Sequence, residues 1–307
     1  MLSMDVVFTQ ILVIMLYVLV GFVAVKSRLV DPDQRKYLTR VCANLIMPFT
    51  VLSAASQTIT RQDAANLGLA AAMMLGIYIL TTAVSLKVQS TRGVPTPVKV
   101  TTAALVTYPN CTFLGLPLTL ALFGERAILY NAMCMIAFNV LFFTWQATLF
   151  TGKKFDLRNL ATPATIATVI LIPMLGLGIH FPAPLETVVK SIGAMTSPLS
   201  LIIIGVMMSE NPITAILHER RAYVITLLRN LALPLLGLPV LLLMPFDPSM
   251  RLCFLVYMGC PCAALTTIYA IQNDMEPELA ARTVLMSTLF FAVTLPAILF
   301  IGMRVLG

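Results

Sequence analysis

Two prolines in the middle of apolar segments carry the strongest chemical signal. Pro109 lies in Val106-Thr107-Tyr108-Pro109-Asn110-Cys111-Thr112-Phe113, and Pro261 in Tyr257-Met258-Gly259-Cys260-Pro261-Cys262-Ala263-Ala264. A proline inside a helix removes one hydrogen bond and collides with the preceding turn. In lipid the freed carbonyl needs a partner or water. Past each break a new helix begins. Its first N–H groups lack partners and stand at the positive end of the helix dipole, which attracts anions. Two such ends that converge suit a carboxylate. Asn110 adds an amide donor at the first break. Cys262 holds the matching place at the second, so the expected site is asymmetric: Pro109, Asn110, Cys111 and Thr112 on one side, Pro261, Cys262 and Ala263 on the other. The chemistry is binding rather than bond-making. No H-E-x-x-H, G-x-S-x-G or P-loop is present, so neither an enzyme nor an ATP-driven pump is expected.

Other polar residues extend this set. Arg229 is the one basic residue deep in an apolar segment, eight positions beyond Arg221 or roughly 12 Å by helical rise. Such a charge must face protein or water. It either attracts an anionic ligand or caps carbonyls freed by a broken helix. Asn139, near mid-depth, is a further candidate for a cavity. All thirteen acidic residues lie at segment ends or in loops, as do His180 and His218, so no buried proton relay is visible. Sodium needs only neutral oxygens, and Asn44, Ser53, Thr107, Asn139, Thr266 and Thr267 can supply them. The coupling ion, sodium or proton, stays open, and no cofactor is expected. The six cysteines sit in apolar segments without metal-ligand spacing and read as buried, reduced residues.

The elements that position these residues follow from composition. Of 307 residues, 59% are hydrophobic and 11% charged, with a mean hydropathy of +0.94. A soluble domain has about 25% charged residues. The chain is therefore expected to be an all-α, multi-pass integral membrane protein with the lipid bilayer as its surroundings. A spanning helix needs about 20 apolar residues. Ten segments qualify: 6–25, 37–56, 64–86, 98–123, 125–149, 161–180, 185–208, 220–244, 250–271 and 279–303. The first is not a signal peptide, since Met1 to Asp5 lacks a basic region. The net charge of +7 reflects loop anchors and not a nucleic-acid surface, because no basic cluster has interleaved aromatics. An outside N-terminus puts fourteen Lys and Arg on the inner side and five on the outer. Both termini are thus expected outside, in a bacterial inner membrane.

The segments divide into five plus five, as halves 1–151 and 161–307 joined by a cytoplasmic loop at 152–160. Five spans per half force the halves to face opposite ways. Pro48 and Pro198 stand 150 positions apart, Pro109 and Pro261 152, and Ala127 and Ala280 153. The spacing predicts an inverted repeat whose fourth and ninth helices are broken and cross at their prolines. Pro109 is eleven residues from Val98 and Pro261 eleven from Met250, so each break falls about 16 Å into its span. Matched breaks at equal depth point to a secondary transporter binding an organic anion at mid-membrane. A receptor or membrane enzyme seldom needs that symmetry.

The stretch Tyr108-Pro109-Asn110-Cys111-Thr112-Phe113-Leu114-Gly115-Leu116-Pro117-Leu118 resembles the Y-G-N-T-G-F-M-G-L-P-L signature of the auxin efflux carrier family. Asn44 to Phe49 is similar to that family's second helix, and Pro277 to Ala281 through Leu295-Pro296 to its last. The resemblance implies ten helices in two inverted repeats, a fold shared with bile acid–sodium symporters. It implies alternating access, a substrate at the crossover of helices four and nine, Asn110 on the substrate carboxylate, and a homodimer. Pro109 replaces the usual Gly, and Cys262 stands where plant exporters carry Asn. The long plant cytoplasmic loop is absent. These departures favour a small carboxylate of the malate or malonate kind over auxin. The alternative is a sodium-coupled, bile-acid-type anion symporter.

Overall fold

The computed structural model describes residues 4–31, 34–154, 160–209 and 219–306. The connecting loop is therefore described only at its two ends, and His218, Asp33, Asp156 and Glu210 lie outside the described residues. All regular structure in the described residues is helical. Seven helices are long and apolar enough to cross a membrane: α1 (Met4–Lys26), α2 (Lys36–Ser56), α3 (Arg61–Thr91), α6 (Arg126–Thr151), α8 (Ala183–Ser209), α9 (Arg220–Leu243) and α12 (Pro277–Val305). The expected segment 161–180 carries the shorter helix α7 (Pro163–Leu177). Segment 98–123 is two helices, α4 (Thr96–Thr107) and α5 (Cys111–Phe123), and segment 250–271 is also two, α10 (Pro248–Gly259) and α11 (Ala264–Gln272).

Prolines shape the long helices without ending them. The backbone widens to a π-helical turn at Cys42–Ile46, Cys111–Gly115 and Leu228–Ala232. Each of these three turns contains the residue four before a proline: Asn44 for Pro48, Phe113 for Pro117 and Asn230 for Pro234; a fourth π-helical turn, Phe142–Gln146, has no such proline. The proline ring clashes with that carbonyl and offers it no N–H, and widening the turn relieves both problems. Helix ends are set by ordinary caps. The Thr162 hydroxyl accepts from the Thr165 N–H, and the Asp247 carboxylate from the Met250 N–H. Gly152 and Gly178 close α6 and α7 in the left-handed conformation.

The chain forms two compact units. One comprises Met1–Leu69, Thr112–Met135 and Ala161–Asn211, the other Ala70–Cys111, Ile136–Leu160 and Pro212–Gly307. Each draws on both halves of the sequence. In the first unit α1 lies along α8 with backbones in contact. A side chain at Gly21 would run into the Ile202 carbonyl, and one at Gly205 into the Val18 carbonyl. Small residues allow this close approach, which replaces the hydrophobic drive that is missing in lipid. Helix α2 packs on α7 and α8, where Thr50 sits against Gly193. Its hydroxyl pairs with the Gly193 carbonyl at 2.8 Å and the Thr196 hydroxyl at 2.6 Å. His180, in the same unit, lies 2.9 Å from the Ala55 carbonyl through Nδ1.

In the second unit α4, α9, α10, α11 and α12 pack around a core that includes Leu105, Val106, Ile225, Cys262 and Val284. Every residue of Leu252–Gly259 in α10 is buried. A helix that is apolar on all sides belongs at the centre of a bundle, where neighbours surround it.

Candidate functional site

Both expected breaks are present, and they meet in the second unit. Helix α4 stops at Thr107, and Tyr108 is extended. Helix α10 stops at Gly259, and the chain stays extended from Cys260 until α11 starts after Ala263. The two extended segments pair antiparallel, Pro109 opposite Cys262. The Asn110 N–H donates to the Pro261 carbonyl at 2.7 Å, and the Ala263 N–H to the Tyr108 carbonyl at 2.9 Å. Each break thus supplies backbone groups the other lacks, as a low-dielectric interior requires. The Cys262 N–H goes to the Ser287 hydroxyl of α12 at 3.1 Å, and that hydroxyl donates to the Val284 carbonyl.

The carbonyls left at the ends of α4 and α10 are taken up by Arg229. Its Nε donates to the Cys260 carbonyl at 2.9 Å, Nη1 to those of Val106 at 3.2 Å and Thr107 at 3.0 Å, and Nη2 to that of Tyr257 at 3.1 Å. The side chain is 2% exposed. Its charge therefore lies at the negative ends of two helix dipoles at once, where a cation is favoured. The π-helical turn at Leu228–Ala232 also places Asn230, whose amide donates to the Ser287 carbonyl at 2.6 Å. Arg229 and Asn230 together tie α9 to α4, α10 and α12.

Aromatic rings hold the first break from the other side. Tyr108 is fully buried, with ring centroids of Phe142 at 5.0 Å and Phe138 at 5.3 Å, both edge-on, and of Tyr78 at 5.7 Å. Phe142 in turn meets Tyr269 of α11 at 5.1 Å. Behind Tyr108, the Thr82 hydroxyl donates to that of Thr107 at 3.1 Å.

The structure brings together Pro109, Asn110, Pro261, Cys262, Ala263 and Arg229, all buried. Cys111 is buried beside Asn110, and Asn139 is buried in α6 within the same unit. Thr112 and Asn44 belong to the other unit. Thr112 donates to the Met135 sulfur at 3.0 Å, and Asn44 is exposed on the π-helical turn of α2. All six cysteines are free and buried, as expected. The described residues hold no group of three metal-ligating side chains. Sequence reasoning missed Ser287, Asn230 and Tyr78. No spacing marks them, because each acts on a segment 25 to 57 positions away or through ring packing.

Helix α11 starts with no side-chain cap on its first turn. Its leading N–H groups are the donors an anion would use. In that turn the hydroxyl oxygens of Thr266 and Thr267 are buried with no hydrogen-bond partner.

No curated protein matches the chain. A model of the family described as membrane transport protein matches residues 6–157 and again 146–299. These two matches cover nearly all of the sequence, and the chain belongs to that family, the family of the auxin efflux carriers, whose members are membrane transporters.

Proposed function

We propose that this transporter is a secondary carrier that moves a small organic carboxylate by alternating access, with the substrate held where the two broken helices pair. The observation that carries this reading is the pairing of Pro109 with Cys262, which sets the Asn110 amide and the uncapped start of α11 at one buried place. Donors fixed in a water-poor site bind a carboxylate without first having to be ordered. In this reading Asn110 contacts the carboxylate, Ala263 and Cys262 present the α11 N-terminus, and Arg229 holds both breaks open by capping carbonyls rather than touching substrate. Asn139, in the same unit, would serve substrate at a further remove.

Ten spans in two inverted repeats form part of the proposal. The first span packs on the seventh and the second on the sixth, which is one relation exchanged between the halves. The other unit holds the third span from Ala70, the fourth as far as Cys111, the fifth from Ile136, and spans eight to ten. Both patterns are what a pseudo-twofold would produce.

The test is uptake of labelled malonate and malate into proteoliposomes by wild type and Asn110→Ala, with and without a sodium gradient. Wild-type uptake that falls at least tenfold in Asn110→Ala is expected. No uptake of either acid by folded protein would remove the small-carboxylate reading. The partnerless Thr266 and Thr267 oxygens favour a sodium-coupled version of the same carrier. An unchanged rate without the sodium gradient would exclude it.

A further inference from the structure

A cavity of about 750 Å³ opens on the second unit between α3 and α9, floored by α4 and Met258. It is long: Met74 and Arg92 both line it, eighteen residues apart, or roughly 27 Å of helical rise. Its walls are aliphatic, with Leu80, Val224 and Leu236 presented on the open side. Thr81, Ser85, Thr102 and the carbonyl-bound Arg229 also line it, but its exposed charges gather at one end, where Arg92 follows α3 and Arg220 and Arg221 open α9. These ends coincide, since Val94 packs into the same cluster as Ile225. All three arginines are exposed, and among the described residues none pairs with a carboxylate. The nearest acid in sequence, Glu219, accepts the Arg221 backbone N–H and pairs with Arg282.

A hydrocarbon groove closed at one end by three guanidinium groups matches one class of ligand. We propose that it holds an anionic phospholipid of the surrounding bilayer, with the phosphate among Arg92, Arg220 and Arg221 and an acyl chain along α3 and α9. A small dicarboxylate has nothing to place against aliphatic walls of this length. A zwitterionic lipid fills the groove but adds its own cation to the arginine end. Because a chain gains little by leaving lipid for an apolar groove, selectivity rests on the headgroup. Guanidinium groups bind phosphate with two parallel hydrogen bonds, and basic pockets between membrane helices are suited to such headgroups. The deep wall of this groove includes Val106 and Arg229 beside the paired breaks, while the arginine end lies at Arg92, Arg220 and Arg221, and its test does not depend on transport.

The test is native mass spectrometry of the full chain in detergent, supplied with equal amounts of phosphatidylglycerol and phosphatidylcholine of the same chain length. Wild type is expected to carry the glycerol lipid in at least tenfold excess. Replacing the three arginines together (Arg92→Gln, Arg220→Gln, Arg221→Gln) should bring the two lipids within about twofold. Val224→Trp, which fills the groove and leaves the arginines intact, should lose the bound lipid. Equal occupancy by both lipids on wild type would overturn the proposal, whatever the variants do. So would a preference that survives either variant, or displacement of the lipid by glycerol phosphate at matched concentration, which would mark a site for soluble phosphates.

Discussion

Arg229 meets four main-chain carbonyls from two helices that are far apart in sequence. Each buried carbonyl that loses its partner costs about 1–3 kcal/mol, so Arg229→Gln should lower the thermal midpoint steeply. Arg229→Lys keeps the charge but not the planar fork, and a point donor cannot reach all four oxygens. We expect the Lys variant to lose thermal stability while its Kd for malonate changes little. A tenfold loss of affinity at an unchanged midpoint would instead assign Arg229 to the substrate. The alternatives for this residue were legible in the sequence, because a deep arginine must be compensated. The choice between them was not, since its acceptors lie 28, 31, 122 and 123 positions away. For Asn44 and Thr112 the residue type was legible as fitting a binding site, but no local signal indicated which unit they belong to.

At the scale of elements, proline physics is local, and for that reason the breaks at Pro109 and Pro261 were readable before the structure. The same holds in retrospect for three of the π-helical turns, which follow from the carbonyl four residues before a proline, but not for Phe142–Gln146, which has no such proline. Helix-to-helix contact is another matter. Gly21 and Gly205 look no different in sequence from Gly68 and Gly76, yet only the first pair has a neighbouring backbone against it. Gly21→Leu or Gly205→Leu should force α1 from α8 and abolish folded protein on size-exclusion chromatography. Gly76→Ala meets nothing within 4 Å and should be neutral or gain about 0.5–1 kcal/mol, as alanine does in an open helix position. A tolerated Gly205→Leu would mean that α1 and α8 are not in backbone contact.

At the scale of the molecule, the two units interleave segments from both halves of the chain. Hydropathy marks where segments begin and end but carries no information on which ones share a core, so this partition was invisible in the sequence. Orientation is a different kind of whole-molecule property, carried by charge. The bias of fourteen basic residues to five predicts both termini outside. Alkaline phosphatase fused after Gly307 should be active and a green fluorescent protein there dark; the reverse pattern would invert the topology. The capping arginine also bears on biosynthesis. A ribosome delivers α4 to the bilayer some 120 residues before Arg229 is made. Until then the carbonyls of Val106 and Thr107 lack the guanidinium that holds them in the folded protein. The later part of the chain thus completes the earlier, and residues 1–151 alone lack the donor that these two carbonyls use.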